Sequence, residues 1–486
     1  MNYKAVFNVL GKVMVFFGFF MLVPMLVGAI YGENTFFSFL IPVAGIVAIG
    51  LPLSLMKVRD KAIYAKEGFV IVALTWILMS LVGAVPFVIS GVIPSYVDAL
   101  FETASGLSTT GASVMTLSFT EILIPKSVMF WRILTHWLGG MGILVFALAL
   151  LPSEGNLMHV FRAESPGPSA SKLVSKISFT ARILYGIYIA LTLLETVLLL
   201  FSGMGFYESL LNSFSTAGTG GFGIYADSIA HYNSVYVETV IATFMMLFGV
   251  NFNVFYLIIT GNVLRAIKSE ELIAYFCILI AAVVTIAVNT LSVFGNFWVA
   301  LRYSYFQTTA IASTTGFSSY DFVSWPALSK GIILFLSVVG ACGGSTGGGI
   351  KVSRLIILVK AAFNDLKKCL HPRSVNTFKL ESEPVAHDVE RTTKTYFLFW
   401  VGMVIITTLA LSFDPYGGQD LFTNFSATIA CIGNIGPGVT AAVGPAGGFA
   451  AYGAFSKALL SFVMLAGRLE IVPVLLLLAP RTWKKG

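Results

Sequence analysis

The sequence predicts an all-α integral membrane protein with ten transmembrane helices: two extra helices, then four repeats of span, short helix, loop and span. Three observations predict it. Hydrophobic residues make up 57% of the 486 and charged residues 11%, with a mean hydropathy of +0.87, which leaves no ordinary polar surface for water. Apolar runs of about 20 residues, the length that crosses hydrocarbon, recur along the whole chain. Between several of them lie segments too polar and Gly-rich to face lipid, yet too apolar to be ordinary loops.

Taken in order, the expected spans are 10–30, 36–56, 68–91, 127–151, 183–203, 236–263, 271–294, 330–357, 394–412 and 457–480. The first follows Lys4 and Lys12, and its apolar run from Val13 to Ile30 is too long for a signal-peptide core, so it reads as a retained helix. Grouping the spans gives two N-terminal helices at 1–66 and repeats at 67–160, 161–268, 269–370 and 371–486. The 46 glycines suit close helix contacts. Cys277, Cys342, Cys369 and Cys431 show no CxxC spacing and read as packing residues rather than metal or disulfide chemistry.

The formal net charge is +7, but the basic residues crowd into a few short loops beside apolar spans, a pattern that orients helices rather than binding nucleic acid. Lys57, Arg59, Lys61 and Lys66 share one loop, Arg162, Lys172, Lys176 and Arg182 another, and Arg265 and Lys268 a third. A fourth cluster runs from Lys351 to Lys394, and Arg481, Lys484 and Lys485 end the chain. All fall on one side with both termini, the cytoplasmic side by the positive-inside rule. The opposite side carries Glu208 and Asp227 in a stretch from Ser202 to Val235 without Lys or Arg, which suits a cation entrance.

Four segments align in register: Phe101–Ser113, Leu211–Gly223, Phe306–Ser318 and Ser426–Gly438. Gly111, Gly221, Gly316 and Gly436 share one column. Each follows about ten residues of short-helix character and precedes a return to a long span. Non-helical backbone at membrane depth must be buried in protein or line a water-filled cavity, and four such loops can line one central pore. Glycine tolerates the backbone angles that aim carbonyl oxygens at an axis. Rings of carbonyls replace the hydration shell of a monovalent cation, and short pore helices pointing inward bring their negative ends to it. A lone copy would read as a tight turn or a helix contact; the fourfold register argues otherwise.

A second feature is the run from Gly340 to Gly349, which interrupts the span from Lys330 to Val359 and cannot form a stable helix. It lacks the G-x-x-x-x-G-K-[ST] spacing of a phosphate loop, and no strand precedes it. Two readings stay open: a kinked helix at a close contact, or a mobile intramembrane gate. Arg468, midway along the last span, is an ionisable group at membrane depth and so a functional candidate. It reads either as a fixed charge in the pore or as a structural partner of Glu195, and the roles are compatible. Glu470 lies off its helix face and would pair with another span. Arg132, His136, Arg302 and Lys330 read as snorkelling or loop-fixing groups, and Trp131, Trp137, Trp298 and Trp325 as interfacial anchors.

At these residues the sequence resembles the Trk/Ktr/HKT superfamily of potassium transporters, and within it the TrkH-type membrane subunit of bacterial uptake systems. STTGAS, STAGTGGFG, STTGFSSYD, IGNIGPG, GGSTGGGIK and GRLEI carry the resemblance, which spans nearly the whole chain. The two extra N-terminal spans favour that branch over the shorter Ktr type. By position the resemblance implies a potassium-binding filter of Thr109, Thr110 and Gly111; Thr219, Gly220 and Gly221; Thr314, Thr315 and Gly316; and Asn434, Ile435 and Gly436. The fourth loop departs from Thr-Thr-Gly. Gly111, where some sodium-favouring relatives have serine, implies potassium preference. The resemblance also implies a gate of Gly343, Gly344, Ser345, Thr346, Gly347, Gly348 and Gly349 with Arg468.

The same resemblance implies a homodimer in a bacterial inner membrane, each protomer with its own pore, and a cytosolic TrkA-type regulator docked on surfaces such as Arg162–Ser178 and Lys351–Lys394. That partner would bind the nucleotide, ATP or ADP or NAD, because this chain has no dinucleotide or Walker fingerprint. The expected ligands of the chain itself are potassium and membrane lipid. The competing function is a secondary transporter coupling an organic solute or a cation to sodium or protons through inverted repeats, against which the loops here all enter from one side. No HExxH, GxSxG or clustered acid–base pair suggests an enzyme.

Overall fold

The computed structural model describes residues 1–58, 63–115, 124–142, 177–371, 378–381, 383–414 and 419–483. It is helical apart from a two-stranded hairpin, β1 (Lys379–Leu380) and β2 (Glu383–Pro384). Helix α1 (Tyr3–Tyr31) packs along α2 (Phe36–Ser54). The seam is made by glycines: a Cβ on Gly11 would collide with the α2 backbone at Gly50 and Ser54, and one on Gly50 would lie 3.2 Å from the Gly11 carbonyl. Close backbone approach of this kind drives helix association where lipid offers no hydrophobic gain. Asn8 Nδ2 donates to the Ser54 carbonyl at 2.7 Å and that of Met56 at 3.1 Å, satisfying the open end of α2.

The remaining chain repeats one order. Helix α3 (Ala65–Gly83) leads to the short α4 (Tyr96–Leu107) and then to α5 (Lys126–Gly140). Next come α6 (Ile177–Leu200), the short α7 (Phe206–Ala217), α8 (Val235–Phe248) and α9 (Phe252–Ile259). Then follow α10 (Glu270–Asn289), α11 (Phe297–Ala312), α12 (Ala327–Val339) and α13 (Val352–Leu370). Last are α14 (His387–Leu411), the short α15 (Leu421–Ile432), α16 (Ala454–Arg468) and α17 (Val472–Leu478). Helices α4, α7, α11 and α15 are buried over their C-terminal parts, so Ser and Thr hydroxyls there turn back onto carbonyls of the preceding turn, as Thr103, Thr216, Thr309 and Thr428 do.

Among the described residues six helices are long and apolar enough to cross a membrane singly, and a bent pair makes a seventh. The expected spans 127–151, 236–263, 330–357 and 457–480 differ from the sequence reading in one way: within the described residues none is a continuous helix. Helix α5 stops at Gly140 before Gly142 at φ +80°. Helices α8 and α9 meet at 91°. The Gly-rich segment divides α12 from α13, and Glu470 and Ile471 at φ +58° and +66° divide α16 from α17. The Gly-rich division was expected from sequence; the other three breaks were not, because the apolar helices flanking them read as one continuous span. Residues 143–151 and Arg162 to Lys176 lie outside the described residues.

Two expected interfacial tryptophans are core residues. Trp131 and Trp325 are buried, Trp131 donating to the Gly83 carbonyl at 3.0 Å, whereas Trp298 is exposed. Its hydrogen bond makes the Trp131 indole stable in the interior, and apolar flanks alone do not distinguish the two locations.

Candidate functional site

Each short helix ends in a loop with the same backbone. Thr109, Thr219, Thr314 and Asn434 adopt left-handed angles, φ +57°, +52°, +62° and +54°, and Gly111, Gly221, Gly316 and Gly436 follow at +79°, +79°, +77° and +98°. For β-branched threonine that conformation costs about 1 kcal/mol or more and persists only where the surroundings impose it. Here hydrogen bonds impose it. The N–H of Thr110 returns to the Ser105 carbonyl, Gly220 to Ser215, Thr315 to Ala310 and Ile435 to Ala430, all at 2.8–2.9 Å. In a planar trans peptide the C=O points opposite the N–H. The carbonyls of Thr109, Thr219, Thr314 and Asn434 are therefore turned away from their own helices.

The loops close into a ring. A Cβ on Gly111 would overlap the Gly220 carbonyl oxygen, one on Gly221 that of Thr315, and one on Gly316 that of Ile435, while a Cβ on Gly436 would sit 2.8 Å from the Thr110 oxygen. Each glycine thus faces the middle residue of the next loop, in chain order, until the fourth meets the first. All four line one open cleft that also reaches Ser113, Gly223 and Ser318. The twelve filter positions expected from sequence are brought together, with the negative ends of four helices behind them.

The fourth loop explains its own departure from Thr-Thr-Gly. Asn434 Nδ2 donates to Thr110 Oγ1 at 3.0 Å and to the Met464 carbonyl at 2.9 Å, joining loop four to loop one and to α16. A threonine is too short for both contacts. In loops one and three the corresponding support is local: Ser108 with Thr110 at 2.7 Å and Ser313 with Thr315 at 2.8 Å.

The Gly-rich segment lies against the other face of this ring. Gly348 N–H donates to Thr314 Oγ1 at 2.6 Å and Gly349 N–H to the Gly433 carbonyl at 2.9 Å. A Cβ on Gly347 would lie 2.7 Å from the Ser313 carbonyl and 3.1 Å from Thr314 Oγ1, so the segment touches the ring only because it lacks side chains. Its other edge rests on the α8–α9 break: Cys342 N–H reaches the Gly249 carbonyl at 3.0 Å, and Phe252 N–H reaches that of Gly344 at 3.1 Å. Ser345 Oγ bonds the Cys342 carbonyl at 2.6 Å, and Lys351, at φ +83°, bonds the Gly347 carbonyl.

Arg468 ends α16 directly beside this segment. Its guanidinium donates to the carbonyls of Thr346 at 2.7 Å, Gly139 at 2.6 Å and Gly140 at 2.5 Å. It therefore bonds the segment and the open end of α5 at once, and Gly343 to Gly349 and Arg468 form one layer. The alternative partner, Glu195, is buried with neither carboxylate oxygen hydrogen-bonded among the described residues. Glu470 pairs with Arg354 of α13 at 2.5 Å, the expected partner on another span.

Glu102 and Gln307 escaped the sequence reading, and Arg132 and His136 fix loops rather than snorkel. Arg132 does not snorkel: it is buried, with Nε 2.6 Å from Glu102 and its other nitrogens on Ser113 Oγ and the Gly223 carbonyl. His136 bridges the Gly106 carbonyl at 2.8 Å and the Phe222 N–H at 3.2 Å, and its ring fills the space beside Gly220. Glu102 also accepts the Val114 N–H at 3.0 Å, stapling the strand after loop one to its helix, as Gln307 does for loop three through the Tyr320 carbonyl. The available signal was the column Glu102, Asn212 and Gln307, polar in three of four segments.

Residues 37–485 match the family model described as TrkH, cation transport protein. The chain belongs to the TrkH family. It is 32% identical to the Trk system potassium uptake protein TrkH of Salmonella typhimurium over 492 residues, covering all of both chains, and equally so to that of Escherichia coli. The Escherichia coli potassium uptake protein TrkG is 28% identical over 99% of each chain. The crystal structure of the potassium transporter TrkH from Vibrio parahaemolyticus superposes with a TM-score of 0.88 at 29% identity, each chain fully covered. With its apolar helices this places the TrkH-family chain in a membrane as a cation transport protein.

Proposed function

We propose that this chain takes up potassium through a channel-like pore whose filter is the ring of four loops. The cyclic contact of each glycine with the next loop carries this reading, because it makes one axis common to all four. Carbonyl oxygens turned off their helices can replace the water around a dehydrated cation. Thr109 Oγ1 and Asn434 Oδ1, buried without hydrogen-bond partners among the described residues, are further oxygens free to serve it. A membrane potential of 100 mV supplies about 2.3 kcal/mol per charge, enough to drive passive uptake.

The Gly-rich segment with Arg468 is the gate in this reading. It occupies the layer next to the ring, and Arg468 adds positive charge where a leaving cation must pass. A cytosolic TrkA-type partner binding ATP, ADP or NAD would act on this gate. The protein would work as a homodimer in a bacterial inner membrane with both termini in the cytoplasm. Equal backbone geometry in all four loops disfavours the inverted-repeat transporter.

Flux into liposomes carrying the purified protein tests the reading, with rubidium as tracer and potassium, rubidium or sodium as competitor. Competition by potassium and rubidium far above that by sodium is expected. Equal competition by sodium, or flux that requires an organic solute, would overturn it.

A further inference from the structure

We propose that Glu271 is a positioning residue that keeps the Gly-rich segment in place by gripping both of its ends, an assignment that rests on reading that segment as the gate. Glu271 is the second residue of α10 and is buried. One carboxylate oxygen accepts the N–H of Gly343 at 2.6 Å and the N–H of Ser353 at 3.1 Å; the other accepts Asn251 Nδ2 at 3.4 Å. Gly343 heads the segment, Ser353 opens α13 just after its tail, and Asn251 belongs to the α8–α9 break on which it rests. A single carboxylate therefore gathers head, tail and seat.

The chemistry makes this grip strong. Ser353 N–H is one of the orphan donors at a helix N-terminus, where negative charge is favoured. Bonds from N–H groups to a buried carboxylate are charge-assisted, and losing them leaves the carboxylate without solvation. The segment cannot swing away from the ring without leaving Glu271 or dragging it along.

The backbone of the same residue is tied outward. Glu381, in the turn of the β1–β2 hairpin at φ +54°, accepts Ser269 Oγ at 2.7 Å and Glu271 N–H at 3.3 Å. Lys360 of α13 joins Glu270 at 2.5 Å and the Lys379 carbonyl at 2.8 Å. A displacement of the hairpin therefore reaches the grip through one residue.

Cys342, buried and adjacent to Gly343, reports the segment directly, and Cys431, buried in α15, serves as the folding control. In the full chain with Cys277→Ser and Cys369→Ser, maleimide modification of each thiol is followed by peptide mass spectrometry in liposomes, with rubidium flux measured in parallel. Glu271→Ala should speed Cys342 modification by roughly tenfold or more. Glu271→Gln, which keeps one acceptor oxygen, should speed it by less, and Cys431 should stay protected in both. Cys342 protection in Glu271→Ala within about twofold of the parent, with Cys431 also protected, overturns the proposal. Should Glu271→Ala expose Cys431, Glu271→Gln decides by the same criterion. Faster Cys342 modification with unchanged flux keeps the grip and removes the gate reading. Raised flux on deleting Gly347 to Gly349, with Cys342 protected in both Glu271 variants, keeps the gate and removes the grip.

Discussion

A Cβ on Gly111 would lie 2.0 Å from the Gly220 carbonyl oxygen, well inside van der Waals contact. The same collision recurs at Gly221 and Gly316, but at Gly436 the gap to Thr110 is 2.8 Å. Alanine at Gly111, Gly221 or Gly316 must therefore push a neighbouring loop off the axis, and serine at Gly111 adds a hydroxyl to the same displacement. Gly111→Ser should lower potassium-over-sodium preference about tenfold or more, taking a shift of roughly 1.4 kcal/mol between the ions. Gly436→Ala should disturb it least of the four alanine variants. Competitive rubidium flux measures both, and an unchanged preference in Gly111→Ser would remove the filter assignment.

Thr314 Oγ1 in the ring receives a hydrogen bond from the Gly-rich segment, through Gly348 N–H. Thr314→Val deletes the acceptor at nearly constant volume and leaves a buried N–H unpaired, a cost of about 1–3 kcal/mol. The packed state of the gate should lose that much, raising basal rubidium flux several-fold. Thr314→Ser, which keeps the hydroxyl, should behave as the parent.

Arg468 ties the Gly-rich segment to the end of α5 through three carbonyls. Arg468→Ala removes both the tie and the charge, so basal flux should rise by more than in Thr314→Val. Arg468→Lys keeps the charge without the planar fork and should fall between. A pure structural role would instead give low expression and early elution changes in size-exclusion chromatography, with no gain in flux per folded protein.

Arg132 and Glu102 form a buried pair at 2.6 Å, away from the gate and beside the strand that follows loop one. Removing one partner of such a pair costs about 3–5 kcal/mol because the other is stranded. Glu102→Gln should lower thermal stability in detergent clearly and reduce flux, whereas Arg302→Gln, where the arginine is itself partly exposed against a buried Glu238, should cost less. Thermal unfolding monitored by size-exclusion fluorescence compares the two.

The column of four glycines was legible because only a residue without Cβ fits where a neighbouring carbonyl approaches so closely, and such a requirement leaves its mark at every repeat. The left-handed threonines two positions earlier were not legible. Threonine is a poor choice for that conformation in isolation, and only the return bond from each loop to its helix imposes it. Asn434 stood out as a departure, but its reason, a bond to Thr110, spans 324 positions. Arg132 and His136 were misplaced at the membrane edge for a similar reason. Their partners Glu102, Gly106 and Phe222 belong to other helices, and no local pattern announces them.

By itself the sequence determined the membrane class, the short helices and their loops, the Gly-rich interruption and the column of four glycines, because each depends on local composition, length or a repeated need for glycine. Only the tertiary structure decided the order of the loops around the axis, the breaks at the ends of α5, α8 and α16, and the carbonyls that hold Arg468. Those features rest on contacts between distant segments, whose free energy depends on how helices pack rather than on any stretch of residues read alone.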